Sequence, residues 1–250
     1  MASNYFSNYN IVNVYNKRSI KSALVTQILY GQKFKIIFKY REWLKIKLLH
    51  DGYQGYITKK KFTTKSKPTH KISVFKSKIY RNPVNFTKYN SKKFLPFASK
   101  IEILKKKNNF VMFENNKWLK RKDIKLINQK DKNIIKILKL FLNCKYKWGG
   151  KAYSGIDCSG LIQLFYMFNN KFFPRDTINQ IKFKKGTITK KKFKLGDIIY
   201  WKGHVAICIN SKELIHAYGP RKKVLIMPIK KTIKLIKDTA NLEVKKIFSI

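Results

Sequence analysis

Gly155-Ile156-Asp157-Cys158-Ser159-Gly160-Leu161-Ile162-Gln163 is the stretch on which the reading of this chain turns. After the Gly155-Ile156-Asp157 turn the sequence runs apolar as far as Phe168, through Leu161, Ile162, Leu164, Phe165 and Met167. That pattern predicts a buried helix over 157–168 with Cys158 at its start. A nucleophilic cysteine must reach its thiolate, and a free thiol with a pKa of roughly 8.5 supplies little of it in neutral water. A helix N-terminus favours negative charge through its unpaired N–H groups and dipole. An adjacent imidazole is the second device. Ser159 and Gly160 are small, so a substrate can approach closely.

The chain has four histidines, His50, His70, His204 and His216. His50 sits by a turn and His70 in a polar linker, and both read as solvated. His204 and His216 flank a strand–turn–strand pattern centred on Asn210-Ser211. With a three-residue loop over 209–211, Cys208 pairs with Lys212, Ala206 with Leu214, and His204 with His216. That register puts both imidazoles on one face of the sheet, as a base and its orienting partner require. A four-residue loop would put them on opposite faces. Cys144 and Cys208 read as buried structural thiols.

Outward from this core the pattern divides. Residues 1–64 read as short strands: Ile11–Tyr15, Ser22–Ile28, Phe34–Phe38, then Trp43–Leu48 alternating apolar and basic. Asp51-Gly52 supplies a hairpin turn into Tyr53–Ile57. After the linker Lys65–His70, residues 71–127 read as a second run of strands of similar size, without the Gly-rich hairpin. Closely spaced short strands point to small barrels. Residues 128–250 differ. A helix is expected over 131–143 with Asp131 as N-cap, then the helix beginning near Cys158. Strands are expected at 197–201, 204–209, 213–218 and 224–227. Helices followed by an antiparallel sheet give an α+β class.

Hydrophobic residues make up 44% of the 250, so a sizeable core is possible despite a net charge of +45. Such a charge suggests polyanion partners. Yet only six of the 57 basic residues are Arg, the residue favoured for specific phosphate and base recognition. The charge therefore reads as compositional drift, and no specific nucleic-acid partner is predicted. Three cysteines with no zinc spacing predict no metal. No apolar run is long enough for a membrane segment. Free thiols and a start without a secretory pattern point to the cytoplasm; a removed leader would point to the periplasm.

Together with Tyr146-Lys147-Trp148-Gly149-Gly150, the Cys158 segment resembles the nucleophile region of the NlpC-like cysteine peptidases. Pro174–Gln180, Leu195–Trp201, Gly203–Ile207 and Glu213–Ala217 resemble, in order, the later blocks of that family, although Leu195 stands where Pro is usual. The resemblance implies a papain-like catalytic domain preceded by two SH3-like barrels. It implies Cys158 as nucleophile, His204 as base and His216 as its orienting partner, with no cofactor. It also implies oxyanion support from Tyr146 and substrate contacts from Asp157 and Ser159. The whole resembles γ-D-glutamyl-L-diamino acid endopeptidases, whose partners are peptidoglycan peptides or muropeptides with a free N-terminal L-Ala. Glu42 or Tyr53 would meet that ammonium. The rival expectations are another amidase or acyltransferase on the same fold, or a non-catalytic basic binder of wall polymer or nucleic acid.

Overall fold

The computed structural model describes residues 4–84 and 90–250. Residues 1–3 of the first expected domain and 85–89 of the second lie outside the described residues. By contacts the chain divides into two units, residues 1–130 with 168–170, and residues 131–167 with 171–250.

In the first unit, β1 (Asn4–Phe6), β2 (Ile11–Tyr15), β3 (Leu24–Leu29), β4 (Lys33–Tyr40), β5 (Trp43–Leu48) and β6 (Gln54–Thr58) form one antiparallel sheet in the order β1-β4-β5-β6-β2-β3. The alternation read in Trp43–Leu48 is the burial pattern of β5: Leu44, Ile46 and Leu48 are buried, and Lys47 is exposed. Asp51 Oδ1 accepts the Tyr53 N–H at 3.0 Å and closes the expected turn.

The second set is β7 (His70–Ile72), β8 (Lys76–Tyr80), β9 (Asn90–Pro96), β10 (Lys100–Ile101), β11 (Lys105–Lys107), β12 (Phe110–Glu114), β13 (Lys117–Lys120) and β14 (Ile124–Leu126). They form two sheets, β10-β7-β14 and β11-β12-β13-β8-β9. Asparagine replaces the missing glycines: Asn108 (φ 51°) turns β11 into β12, and Asn116 (φ 56°) turns β12 into β13. Asn tolerates this left-handed region better than other residues with a Cβ. The two sets meet where Lys100 N–H donates to Tyr30 O at 2.9 Å. There Gly31 has φ +73°, and a Cβ on it would lie 2.0 Å from Lys100 O.

The second unit runs α1 (Ile134–Lys139), β15 (Lys151–Ala152), β16 (Gly155–Ile156), α2 (Cys158–Phe168), α3 (Thr177–Gln180), β17 (Asp197–Trp201), β18 (His204–Cys208), β19 (Glu213–Tyr218), β20 (Lys223–Pro228), α4 (Ile229–Ala240) and β21 (Lys246–Ser249). Its main sheet is antiparallel, ordered β20-β19-β18-β17-β21. The α+β expectation holds for this unit. Helix α1 is shorter than expected: Asn133, not Asp131, caps it by accepting the Lys136 N–H at 3.0 Å. Helix α4 was not expected. It lays Ile229 and Ile236 against the sheet face carrying Trp201, Ala206, Cys208 and Leu214. The start of β17 is pinned by the fully buried Asp197, which accepts from Lys190 Nζ and Ser249 Oγ, both at 2.6 Å, and from Lys194 N–H at 2.8 Å.

Candidate active site

Helix α2 begins where Asp157 makes it begin. Its Oδ1 accepts the Gly160 N–H at 2.7 Å, satisfying one of the donors that a helix start leaves unpaired. Gly160 has no alternative here: a Cβ would stand 2.7 Å from Gly150 O and 2.9 Å from Asp157 Oδ1. Cys158, the first residue of the helix, is 5% exposed. Burial pushes its thiol up to about 12, and the neighbouring Asp157 carboxylate adds to the rise. Backbone hydrogen bonds from Val205 and Ser159, and the Arg175 charge, pull downward without prevailing. Desolvation is thus the leading influence on the thiol at this buried helix start.

The contact with Val205 places the thiol against β18, next to the residue that follows His204. His204 Nε2 lies 3.0 Å from His216 Nδ1. The route to this contact differs from the expected register. Ile207 pairs with Ile215 and Cys208 with Leu214, so the loop is two residues longer than supposed. Continuing that register sets His216 opposite Ala206 and His204 opposite Tyr218. A shift of two preserves the face, so the rings meet diagonally rather than side by side. Aromatic walls hold them. Tyr218 stacks on His216 with centroids 4.7 Å apart at 9°, and Trp201 lies 5.6 Å from His204. Burial lowers His204 to about 4, and burial followed by the neighbouring His204 lowers His216 to about 3, so both rings rest neutral.

Tyr146 is bridged to Ile156 just ahead of α2, and its ring lies 3.7 Å from where a Cβ on Gly219 would be. Burial, and then the charges of Cys158 and Asp157, raise its hydroxyl pKa, so it stands as a protonated donor near the sulfur. Asp157 and Ser159 are joined to Arg175. Asp157 Oδ2 accepts the Gly149 N–H at 2.9 Å and Arg175 Nη2 at 2.6 Å, while Oδ1 takes Arg175 Nη1 at 3.0 Å besides Gly160. Ser159 Oγ accepts Arg175 Nη1 at 2.8 Å and donates to Asp157 Oδ1 at 3.3 Å. Glu42 precedes β5 and Tyr53 precedes β6, and the antiparallel pairing of these strands sets the two residues at opposite ends of the hairpin. A six-residue strand is about 20 Å long, so one ammonium cannot touch both.

Two residues of the site were missed from sequence. Arg175 is 2% exposed and also donates to Gly150 O at 3.4 Å, so it ties the glycine loop to the helix start. Its residue type alone is no signal, since Arg18, Arg41, Arg81, Arg121 and Arg221 are all exposed. Met227 places its Sδ 3.3 Å from His216 Nε2. No spacing rule points to it.

Residues 143–238 match the NlpC/P60 family, and residues 14–62 match the bacterial dipeptidyl-peptidase SH3 domain. The gamma-D-glutamyl-L-lysine dipeptidyl-peptidase of Bacillus subtilis (strain 168) is 25% identical over 240 residues, covering 85% of this chain and 78% of its own. Dipeptidyl-peptidase 6 of Lysinibacillus sphaericus is 24% identical over 230 residues, covering 83% and 84%. An NlpC/P60 family protein from Bacillus cereus ATCC 10987, known as a crystal structure, shares the fold with a TM-score of 0.75 at 21% identity, over 91% of this chain and 94% of that one. The chain carries an NlpC/P60 domain, with its papain-like fold, behind a bacterial dipeptidyl-peptidase SH3 domain.

Proposed function

We propose that this chain is a cysteine endopeptidase that hydrolyses peptidoglycan stem peptides, cutting the γ-D-glutamyl–diamino acid bond of fragments with a free N-terminal L-Ala. Cys158 is the nucleophile, His204 the general base, His216 its orienting partner and Tyr146 an oxyanion donor. The observation that carries this reading is the 3.0 Å contact between His204 Nε2 and His216 Nδ1, on a strand whose next residue hydrogen-bonds the Cys158 sulfur. The likeness to the gamma-D-glutamyl-L-lysine dipeptidyl-peptidase of Bacillus subtilis supports the substrate class.

A lone thiolate is disfavoured at a buried thiol, so thiolate and imidazolium form together. His204 Nε2 is engaged with His216, which leaves Nδ1 for the thiol. The Sγ–H bond breaks and an Nδ1–H bond forms. The sulfur attacks the γ-carbonyl carbon, and the carbonyl π pair moves onto oxygen, held by the Cys158 backbone N–H and the Tyr146 hydroxyl. Collapse expels the diamino-acid amine, which takes the proton from His204, and leaves a thioester. Water then gives a proton to His204 and attacks the thioester. The second collapse expels the thiolate, which recovers that proton, and frees the γ-carboxylic acid, whose proton passes to solvent.

Digestion of defined muropeptides, followed by mass spectrometry, tests this. L-Ala-γ-D-Glu-diamino-acid peptides should be cut only when the L-Ala amine is free. Cys158→Ala should be inactive, and His216→Ala should cost less than His204→Ala. Substantial turnover by Cys158→Ala would overturn the assignment of the nucleophile. Turnover of lipid esters or simple amides instead would transfer the site to a different acyl-transfer reaction.

A further inference from the structure

Three neighbouring strands carry one diagonal line of side chains: His204 on β18, His216 on β19 and Met227 on β20. Leu214 pairs with Met227 and His216 with Leu225, so each step crosses one strand and shifts along it by two residues. Two contacts join the line, His204 Nε2 to His216 Nδ1 at 3.0 Å and His216 Nε2 to Met227 Sδ at 3.3 Å. We infer that Met227 is a positioning residue: its sulfur fixes the tautomers of both histidines so that His204 turns a bare Nδ1 toward Cys158. This inference rests on the Cys158–His204–His216 reading and adds the group that sets its proton inventory.

The argument runs from one end of the line. A thioether sulfur accepts hydrogen bonds and has no proton to give. The ring nitrogen facing it must therefore carry the hydrogen, since a bare Nε2 would set lone pair against lone pair. His216 is 1% exposed, and burial holds it neutral, so it carries one proton only. With that proton on Nε2, His216 Nδ1 is an acceptor. His204 Nε2, 3.0 Å away, must then be the donor. His204 is also neutral, so its other nitrogen is bare, and that is the nitrogen a general base needs. The opposite arrangement is inert. If His216 carried its proton on Nδ1, it would donate to His204 Nε2, and His204 would present an N–H to the thiol. A wrong tautomer in an otherwise intact catalytic group is known to be costly.

Nitrogen NMR of histidine-labelled protein reads the ring protonation directly and needs no turnover. Its answer therefore stands whether or not the substrate assignment holds, while loss of muropeptide cleavage by the wild type would count against that assignment alone. The expected spectrum shows both His204 and His216 protonated at Nε2 and bare at Nδ1. Met227→Leu keeps the apolar volume and removes the acceptor. It should mix the His216 tautomers and lower kcat/KM about five- to tenfold, the worth of one hydrogen bond, while the protein stays folded. Met227→Gln, whose carbonyl oxygen takes the same proton, should restore the rate to within about twofold of wild type. A wild-type His216 protonated at Nδ1, or a folded Met227→Leu with unchanged tautomers and rate, would overturn the inference.

Discussion

Arg175 shows how much a single side chain organises here. Both its terminal nitrogens meet Asp157, at 3.0 and 2.6 Å, and the pair is almost wholly out of water, with 1% and 9% of the two side chains exposed. Desolvating two charges is expensive, so the pair adds little net stability over an apolar replacement, yet removing one partner strands the other. Asp157 in turn holds the Gly149 and Gly160 N–H groups on either side of the cysteine. Arg175→Ala should therefore cost about 3–5 kcal/mol of unfolding free energy. Arg175→Lys, which keeps the charge but loses the fork, should cost roughly 2 kcal/mol. Both should depress peptidase activity by loosening the helix start. Urea titration reads the difference. A loss under about 1 kcal/mol for Arg175→Ala, the range of an exposed pair, would show that the network does not hold the site.

Among the elements, the start of α2 sets a local preference against a tertiary one. Helix propensity alone makes Gly160→Ala stabilising by about 1 kcal/mol. The close approach of Gly150 O and Asp157 Oδ1, at 2.7 and 2.9 Å from the new Cβ, opposes it, and a backbone carbonyl cannot swing aside. The steric effect should win, with a loss of about 1–3 kcal/mol and a fall in kcat/KM, measured together in one variant. A more stable protein would mean that the glycine is dispensable. The same contest explains what was legible in the sequence. Strand β5 could be read because its periodicity and its burial agree, and helix α2 because an unbroken apolar run after a turn is buried almost throughout. The histidine hairpin could be read for its face and not its loop, since a two-residue slip conserves alternation. Helix α4 went unread although Ile229, Ile233 and Ile236 recur at helical spacing; only its many β-branched residues argue locally against a helix. Its buried stripe, Ile229, Thr232 and Ile236, follows helical spacing and is fixed by the sheet beneath it. Arg175–Asp157 and His216–Met227 join residues 18 and 11 apart, and no local rule encodes such pairs.

For the whole molecule, the buried imidazoles couple folding to pH. The folded pKa values of His204 and His216 lie near 4 and near 3, against 6.5 for the free side chain, with burial the leading cause for both. Below 6.5 the unfolded chain takes up protons that the folded chain refuses. Stability from these groups is thus complete above pH 6.5 and declines as pH falls toward 4, by about 1 kcal/mol per pH unit for each ring. Asp197 continues the decline further down. Burial would raise its pKa, but hydrogen bonds from Lys190, Ser249 and the Lys194 N–H outweigh that and lower it. Its contribution is present above the ordinary carboxylate value and is lost below it. The acid side of the stability curve should therefore have two stretches, a histidine stretch and then an aspartate stretch. A variant carrying His204→Asn and His216→Asn cannot take up those protons. Its unfolding midpoint in urea should be nearly level between pH 6.5 and 4.5, while the wild type falls steadily. His70, lowered by burial and by Lys106, is present in both proteins and cancels in the comparison. Parallel slopes for the two proteins across that interval would mean that the folded rings take up protons as readily as the unfolded chain, and that burial does not hold their pKa values down.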